Sequence, residues 1–149
     1  MSGSCGGSYS GSGYGALNSC GSCWFGQWNS GHDTATLLVA AWLQATKPKG
    51  GGEITMDLTS SGGGRDEKNT IIGGSSRNPG KKNGYPDLMY WANDGTVYIW
   101  DSKTMGNEEK KGKKGKKEID NYVKQLKKQL GDKWEVKPGF AFDPVSGPD

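Results

Sequence analysis

The chain is poor in apolar residues and almost without histidine. Only 32% of its 149 residues are hydrophobic, while 26 are glycine. One compact domain of that length buries a modest core, so the ordered part is expected to be shorter than the chain. The single histidine, His32, argues against a histidine general base or a histidine-rich metal nuclease. Nowhere does an apolar run approach the ~20 residues that cross a bilayer, and Met1 to Gly15 has glycine and serine where a secretory signal has an apolar centre. Cysteine is scarce and odd in number. Cys5, Cys20 and Cys23 do not make a closed disulfide framework. With His32 they have the composition of a Cys3His zinc site, but the spacing to Cys5 is irregular. Free thiols or a Cys20–Cys23 redox pair fit them better.

The charge present is unevenly placed. The formal net charge is only +3, yet lysine is concentrated from Lys110 to Lys137. A basic surface suits an anionic partner such as nucleic acid, and a solvated lysine face accounts for the charge equally well.

Residues 1–15 read as a flexible Gly/Ser-rich lead-in, and residues 16–149 as a single domain. Trp24, Phe25 and Trp28 are expected to pack on that domain. Ser30 and Asp33 suit a helix start. The Ala/Leu-rich run from Thr34 to Thr46 then reads as a buried helix stopped by Pro48. Alternation over Glu53 to Leu58 predicts a first strand. A long polar loop follows from Ser60 to Gly84, and loops of that length inside a compact domain are often functional.

Two strands follow, Leu88–Ala92 and Thr96–Trp100, separated by Asn93-Asp94-Gly95. Their register has two solutions. A two-residue turn sets Asp87 opposite Ser102 and puts Asp87 and Asp101 on opposite faces. A three-residue loop with Gly95 left-handed sets Asp87 opposite Asp101. The second, or a bulge of the same parity, is expected, because only it gathers Asp87, Asp101 and Lys103 on one face with Met89, Trp91, Val97 and Ile99. Gly106 to Lys117 reads as a mobile charged loop. Glu118 to Leu130 reads as an amphipathic helix, from apolar residues at Ile119, Tyr122, Val123, Leu126 and Leu130. A broken last strand runs from Trp134 to Phe142. This order predicts an α/β fold whose mixed central sheet is flanked by helices.

Two carboxylates and a lysine at the ends of an apolar hairpin suit a divalent cation. Mg²⁺, with Mn²⁺ as a substitute, takes hard oxygen ligands and keeps several waters. Asp87, Asp101 and the Ser102 carbonyl are the candidate metal ligands, and Lys103 the catalytic cation. Each residue also has an ordinary reading: Asp87 as a turn residue after Pro86, Asp101 and Lys103 as a weak ion pair on a strand.

Pro86-Asp87 followed by Asp101-Ser102-Lys103 resembles the PD-(D/E)XK signature of restriction-endonuclease-like nucleases. The likeness spans about Ser30 to Phe142 and is closest to C-terminal nuclease domains of bacterial polymorphic toxins. It implies a restriction-endonuclease-like fold and Mg²⁺-dependent hydrolysis of DNA with little sequence specificity. It also implies a cognate immunity protein, and delivery by secretion within a larger toxin that acts in the target-cell cytoplasm; otherwise the protein would be cytoplasmic. Gln125 takes the place of the family's substrate-contacting glutamine. The acid that the family often carries on its first helix is not a glutamate here; Asp33, His32 or Glu53 is left to fill that place. The rival readings are a non-catalytic nucleic-acid-binding module and a nuclease acting on RNA or repair intermediates in its own cell.

Overall fold

The computed structural model describes residues 16–17, 23–25, 32–103, 108–139, 142–143 and 147–148, with side chains for 33–34, 36–101 and 116–139. The lead-in, Cys5, Cys20, Ser30 and Trp28 lie outside the described residues. So do the side chains of Cys23, Trp24, Phe25, His32, Ser102 and Lys103.

The fold is mixed α/β. In chain order the elements are β1 (Ala16–Leu17), β2 (Cys23–Phe25), α1 (His32–Thr46), β3 (Gly52–Met56), β4 (Leu88–Ala92), β5 (Thr96–Lys103), α2 (Glu108–Leu130), β6 (Glu135–Pro138), β7 (Phe142–Asp143) and β8 (Gly147–Pro148). The strands β3, β4, β5 and β6 lie side by side as a mixed sheet. The β3–β4 and β4–β5 pairs are antiparallel, and β5–β6 is parallel. A parallel pair needs a long crossover, and α2 provides it. Because β6 borders only the first half of β5, the second half pairs with β2, also in parallel.

Side chains of β4 and β5 alternate between two cores. On one face Leu88, Tyr90, Ala92, Tyr98 and Trp100 meet Val39, Ala40 and Leu43 of α1. On the other, Met89, Trp91, Val97 and Ile99 meet Ile119, Tyr122 and Leu126 of α2, with Ile71 and Val136. All of β4 is buried because it has neighbours on both edges and a helix on each face. The face shared by Met89, Trp91, Val97 and Ile99 is the one that the three-residue loop predicts.

The loop itself is as expected. Gly95 has φ +90°, the left-handed region open to glycine. The pairs run Leu88↔Trp100, Met89↔Ile99, Tyr90↔Tyr98 and Trp91↔Val97. The Asp94 carboxylate caps the turn by accepting the Thr96 N–H at 3.0 Å.

Three expectations are corrected. First, α1 is not buried all round. Thr36, Val39, Ala40 and Leu43 turn inward at helical spacing, while Leu37 and Leu38 are exposed. Alanine and leucine favour helix whether or not they are covered, so composition alone overstated the burial. Second, α2 begins at Glu108, so most of the expected charged loop is helical. Lysine and glutamate are good helix formers, and Gly112 and Gly115 cost only about 1 kcal/mol each against alanine. Third, β3 stops at Met56. Asp57 and Leu58 turn away into a short 3-10 turn, Thr59–Ser61, and Asp57 forms an isolated bridge with Arg65 instead.

A buried strand isoleucine and an exposed loop isoleucine should differ sharply in their tolerance to truncation. Ile99, with no exposed surface, should lose about 2–5 kcal/mol on Ile99→Ala. Ile72, 66% exposed, should change by less than about 0.5 kcal/mol on Ile72→Ala. Urea denaturation of both variants checks this.

Candidate active site

The antiparallel registers place four residues of the chain in one row across the sheet. Arg65 is bridged to Asp57. Continuing the β3–β4 register past Met56↔Leu88 sets Asp57 beside Asp87, and the Asp57 N–H donates to the Asp87 carbonyl at 2.9 Å. Continuing the β4–β5 register past Leu88↔Trp100 sets Asp87 beside Asp101. Neighbouring positions in a row project to the same face. That face is the α2 side, the one that carries Met89 and Ile99.

Tyr122 joins the row from α2. Its ring is buried at 7% exposure. Burial drives the phenol's proton affinity up strongly, and the carboxylates of Asp101, Glu118 and Asp87 drive it further up; a hydrogen bond from the Tyr85 backbone opposes them weakly. The hydroxyl therefore stays protonated throughout the biological pH range. The acids that act on this oxygen come from three parts of the chain: Asp101 in β5, Glu118 in α2 and Asp87 just before β4. Glu118 lies one helical turn before Tyr122, so both project from the same side of α2.

Several contacts fix the approach to Asp87. Asn69 is fully buried, and its Nδ2 donates to the carbonyls of Pro86 at 2.9 Å and Thr55 at 3.2 Å. Ile71 and Gly84 exchange backbone hydrogen bonds of 2.8 and 2.9 Å. Gly84 is required there: a Cβ would stand 2.5 Å from Cε1 of Tyr122 and 2.6 Å from the Gly74 backbone. The Pro86-Asp87 step is therefore held by the loop that precedes it as well as by the sheet.

Among the expected site residues, Asp87 is half-buried and Asp101 is 6% exposed. Ser102 and Lys103 continue β5, opposite Trp24 and Phe25 of β2. Gln125 lies further along α2, where a Cβ on Gly73 would come within 3.4 Å of its Oε1. Its neighbours one turn away on either side grip the same loop. Asn121 donates to the carbonyls of Gly73 and Ser75, and Gln129 accepts the Ile72 N–H and donates to Thr70. Gln125 thus belongs to a polar stripe that docks residues 70–75.

Of the three candidates for the first-helix acid, Glu53 is remote. It pairs opposite Trp91, four residues along β3 from the level of Asp57 and roughly 13 Å away, and it is tied to Lys68 at 2.5 Å. Its alternation on the strand made it a candidate, but alternation gives the face and not the distance along it. Asp33 is buried at 5% exposure, and its Oδ2 accepts the Ser61 N–H at 2.5 Å. Its Oδ1 has no hydrogen-bond partner among the described residues.

Sequence reading passed over Asp57, Arg65 and Glu118. The signal for Asp57 was present: it closes the predicted first strand, at the end where Asp87 starts the next. Both Asp57 oxygens are committed. Oδ2 accepts from Arg65 Nε at 2.9 Å, and Oδ1 accepts from the Thr59 hydroxyl at 2.7 Å and the Thr59 N–H at 3.0 Å. Asp57 is thereby a fixed counter-charge, not an open ligand. Among the described residues no three His, Cys, Asp or Glu side chains have metal-ligand spacing. The paired Asp87 and Asp101 fit the smaller requirement of Mg²⁺, which commonly takes one or two carboxylates and fills its remaining positions with water or phosphate.

Burial alone would raise the Asp57 pKa, but the hydrogen bonds from Arg65 and Thr59 outweigh it and hold the carboxyl below its ordinary 3.8. A depressed carboxyl pKa stabilises the fold above the unfolded value, and the gain is lost as pH falls through the folded value. Asp57→Asn should therefore cost about 1–3 kcal/mol at pH 7. The difference from the parent chain should shrink below about pH 3.8. Denaturant unfolding at neutral and acid pH reads both values.

Comparison of the chain with protein-family models, with curated proteins and with solved structures gives no match.

Proposed function

We propose that the chain is a metal-dependent nuclease of the restriction-endonuclease-like fold that hydrolyses DNA phosphodiester bonds. The observation that carries this reading is the β4–β5 register, which sets Asp87 beside Asp101 on the α2 face. The element order supports it as well. From α1 to β6 the chain runs helix, three antiparallel strands, helix, and a strand parallel to the third. That is the order the signature's nucleases are expected to share.

In this reading Asp87, Asp101 and the Ser102 carbonyl would hold Mg²⁺, or Mn²⁺ in its place. When bound, such a cation lowers the pKa of its water and offsets charge gained by the phosphoryl oxygens. The protein's own groups do the rest. Asp101 works from a nearly dry position, where a charge acts more strongly than in water. Asn69 fixes the Pro86 carbonyl, and with it the direction of Asp87. Tyr122 keeps its proton among the acids and so presents an O–H donor rather than a further negative charge. Lys103 orients the attacking water or offsets charge on the phosphoryl oxygens of the pentavalent transition state. Gln125, beside Gly73 and between the loop-binding Asn121 and Gln129, contacts the substrate backbone in this reading. Deployment as an antibacterial toxin restrained by an immunity protein rests on the signature and the Gly/Ser-rich lead-in.

Plasmid DNA incubated with the chain should be cut in Mg²⁺ and left intact in EDTA. Asp87→Asn, Asp101→Asn and Lys103→Ala should each lower the rate at least about 100-fold while leaving a cooperative thermal transition. If the folded parent chain retards DNA equally with Mg²⁺ and with EDTA and cuts neither DNA nor RNA, the protein is a binding module and the nuclease reading is wrong.

A further inference from the structure

Arg65 is the one cation in the row Arg65, Asp57, Asp87, Asp101 whose side chain is described, and it is held at three points. Its backbone is bridged to Asp57, its Nε donates to Asp57 Oδ2 at 2.9 Å, and its guanidinium lies 3.8 Å from the centroid of the Tyr85 ring. A guanidinium bound through Nε keeps its two Nη groups for another acceptor, and none is found for them among the described residues. The side chain is 34% exposed and Tyr85 is 38% exposed, so the stacked pair reaches solvent. The Asp57 carboxylate, fixed in turn by the Thr59 hydroxyl and N–H, keeps the guanidinium oriented.

The position of the pair gives it a use. Arg65 stands two strand spacings from Asp87, roughly 10 Å along the row. Tyr85 is two residues before Asp87 and makes the backbone contact to the Tyr122 phenol. A nucleic-acid strand whose scissile phosphate lay at Asp87 and Asp101 would carry a neighbouring phosphate toward Arg65. Planar guanidinium groups match phosphate oxygens two at a time. An aromatic platform beneath such a group keeps it from turning away when the phosphate is absent.

Resting on the nuclease reading, we propose that Arg65, oriented by Asp57 and seated on Tyr85, binds a backbone phosphate adjacent to the scissile one. The pair sets the strand's register over the two acids. The contact is to phosphate, so it adds affinity without sequence preference.

The test uses the full chain and a labelled DNA duplex. Dissociation constants are measured in EDTA over a range of salt concentrations, and cleavage kinetics in Mg²⁺. Arg65→Gln should weaken binding roughly tenfold, lower the salt slope by about one, and raise KM more than it lowers kcat. Arg65→Lys should keep the slope and lose part of the affinity, because the charge remains while the planar fork is gone. Tyr85→Phe should match the parent chain, and Tyr85→Ala should weaken binding. Lys47→Gln, beyond the far end of β3, removes a charge away from the row and should leave the slope unchanged. Melting curves establish that each variant is folded before binding is scored. If the parent chain cuts DNA while folded Arg65→Gln and Arg65→Lys both keep its salt slope and KM, the clamp is wrong and the nuclease reading stands. If the parent chain binds without cutting and Arg65→Gln still lowers the slope, the phosphate contact stands and the nuclease reading fails.

Discussion

Parity across the β4–β5 hairpin is the constraint on which the rest depends. Side chains on a strand alternate, so a shift of one residue in pairing exchanges the two faces completely. The Asn93-Asp94-Gly95 loop, with Gly95 left-handed and Asp94 capping Thr96, fixes an even offset. The apolar residues hold the same offset in place. Met89, Trp91, Val97 and Ile99 are buried against α2 while Leu88, Tyr90, Tyr98 and Trp100 are buried against α1. A slipped register would have to repack both cores at once. The pairing of Asp87 with Asp101 is therefore enforced by residues outside the acidic cluster, from the turn at the far end of the hairpin to the apolar pair Leu88 and Trp100 beside the acids.

That face changes character along its length. Near the turn it is apolar, and it becomes acidic where β4 begins and β5 passes Trp100. Gathering carboxylates at the edge of a dry core is costly unless each is matched by donors or cations. Asp57 shows one solution. Arg65 and Thr59 occupy both of its oxygens, and the group is held ionised. Tyr122 shows a second: it remains a neutral donor, because burial disfavours the charged phenolate and the carboxylates of Asp101, Glu118 and Asp87 disfavour it further. A divalent cation at Asp87 and Asp101 would be a third, supplied from outside the chain.

How much of this the sequence disclosed follows from the range of the interactions involved. The hairpin was legible because its register is set by a short loop and by strict alternation, both local. The amphipathic part of α2 was legible from apolar spacing, but its first ten residues were not, because glycine and lysine in alternation suit a loop as well as a helix. The grouping of Asp57 with Asp87 needed the pairing of β3 with β4 across the long segment from Leu58 to Asp87, and no local pattern encodes that. Arg65 was harder still. Its surroundings in sequence are glycine and charged residues, and only the return of the chain beside Asp57 gives it a place. Glu118 stands in sequence at the start of an amphipathic pattern, and only the fold lets it act on Tyr122 together with Asp101 and Asp87.

The long segment between β3 and β4 therefore has a structural purpose that its composition conceals. It leaves the sheet at Asp57, returns once to give Arg65 to the row, and then places Asn69 beneath Pro86. It pairs Ile71 with Gly84, and between them it lies against the Asn121, Gln125 and Gln129 stripe of α2. Each contact is polar, and each lies near the acids or on the helix that faces them. A segment built this way contributes little hydrophobic burial, yet it determines where Asp87 and Tyr85 point. Its glycines serve that end. Gly84 lets the Tyr122 ring close over the backbone just before Tyr85, which brings the phenol to the acids. A bulkier residue there would displace Tyr122, which belongs to the α2-side core and carries its phenol among the acids.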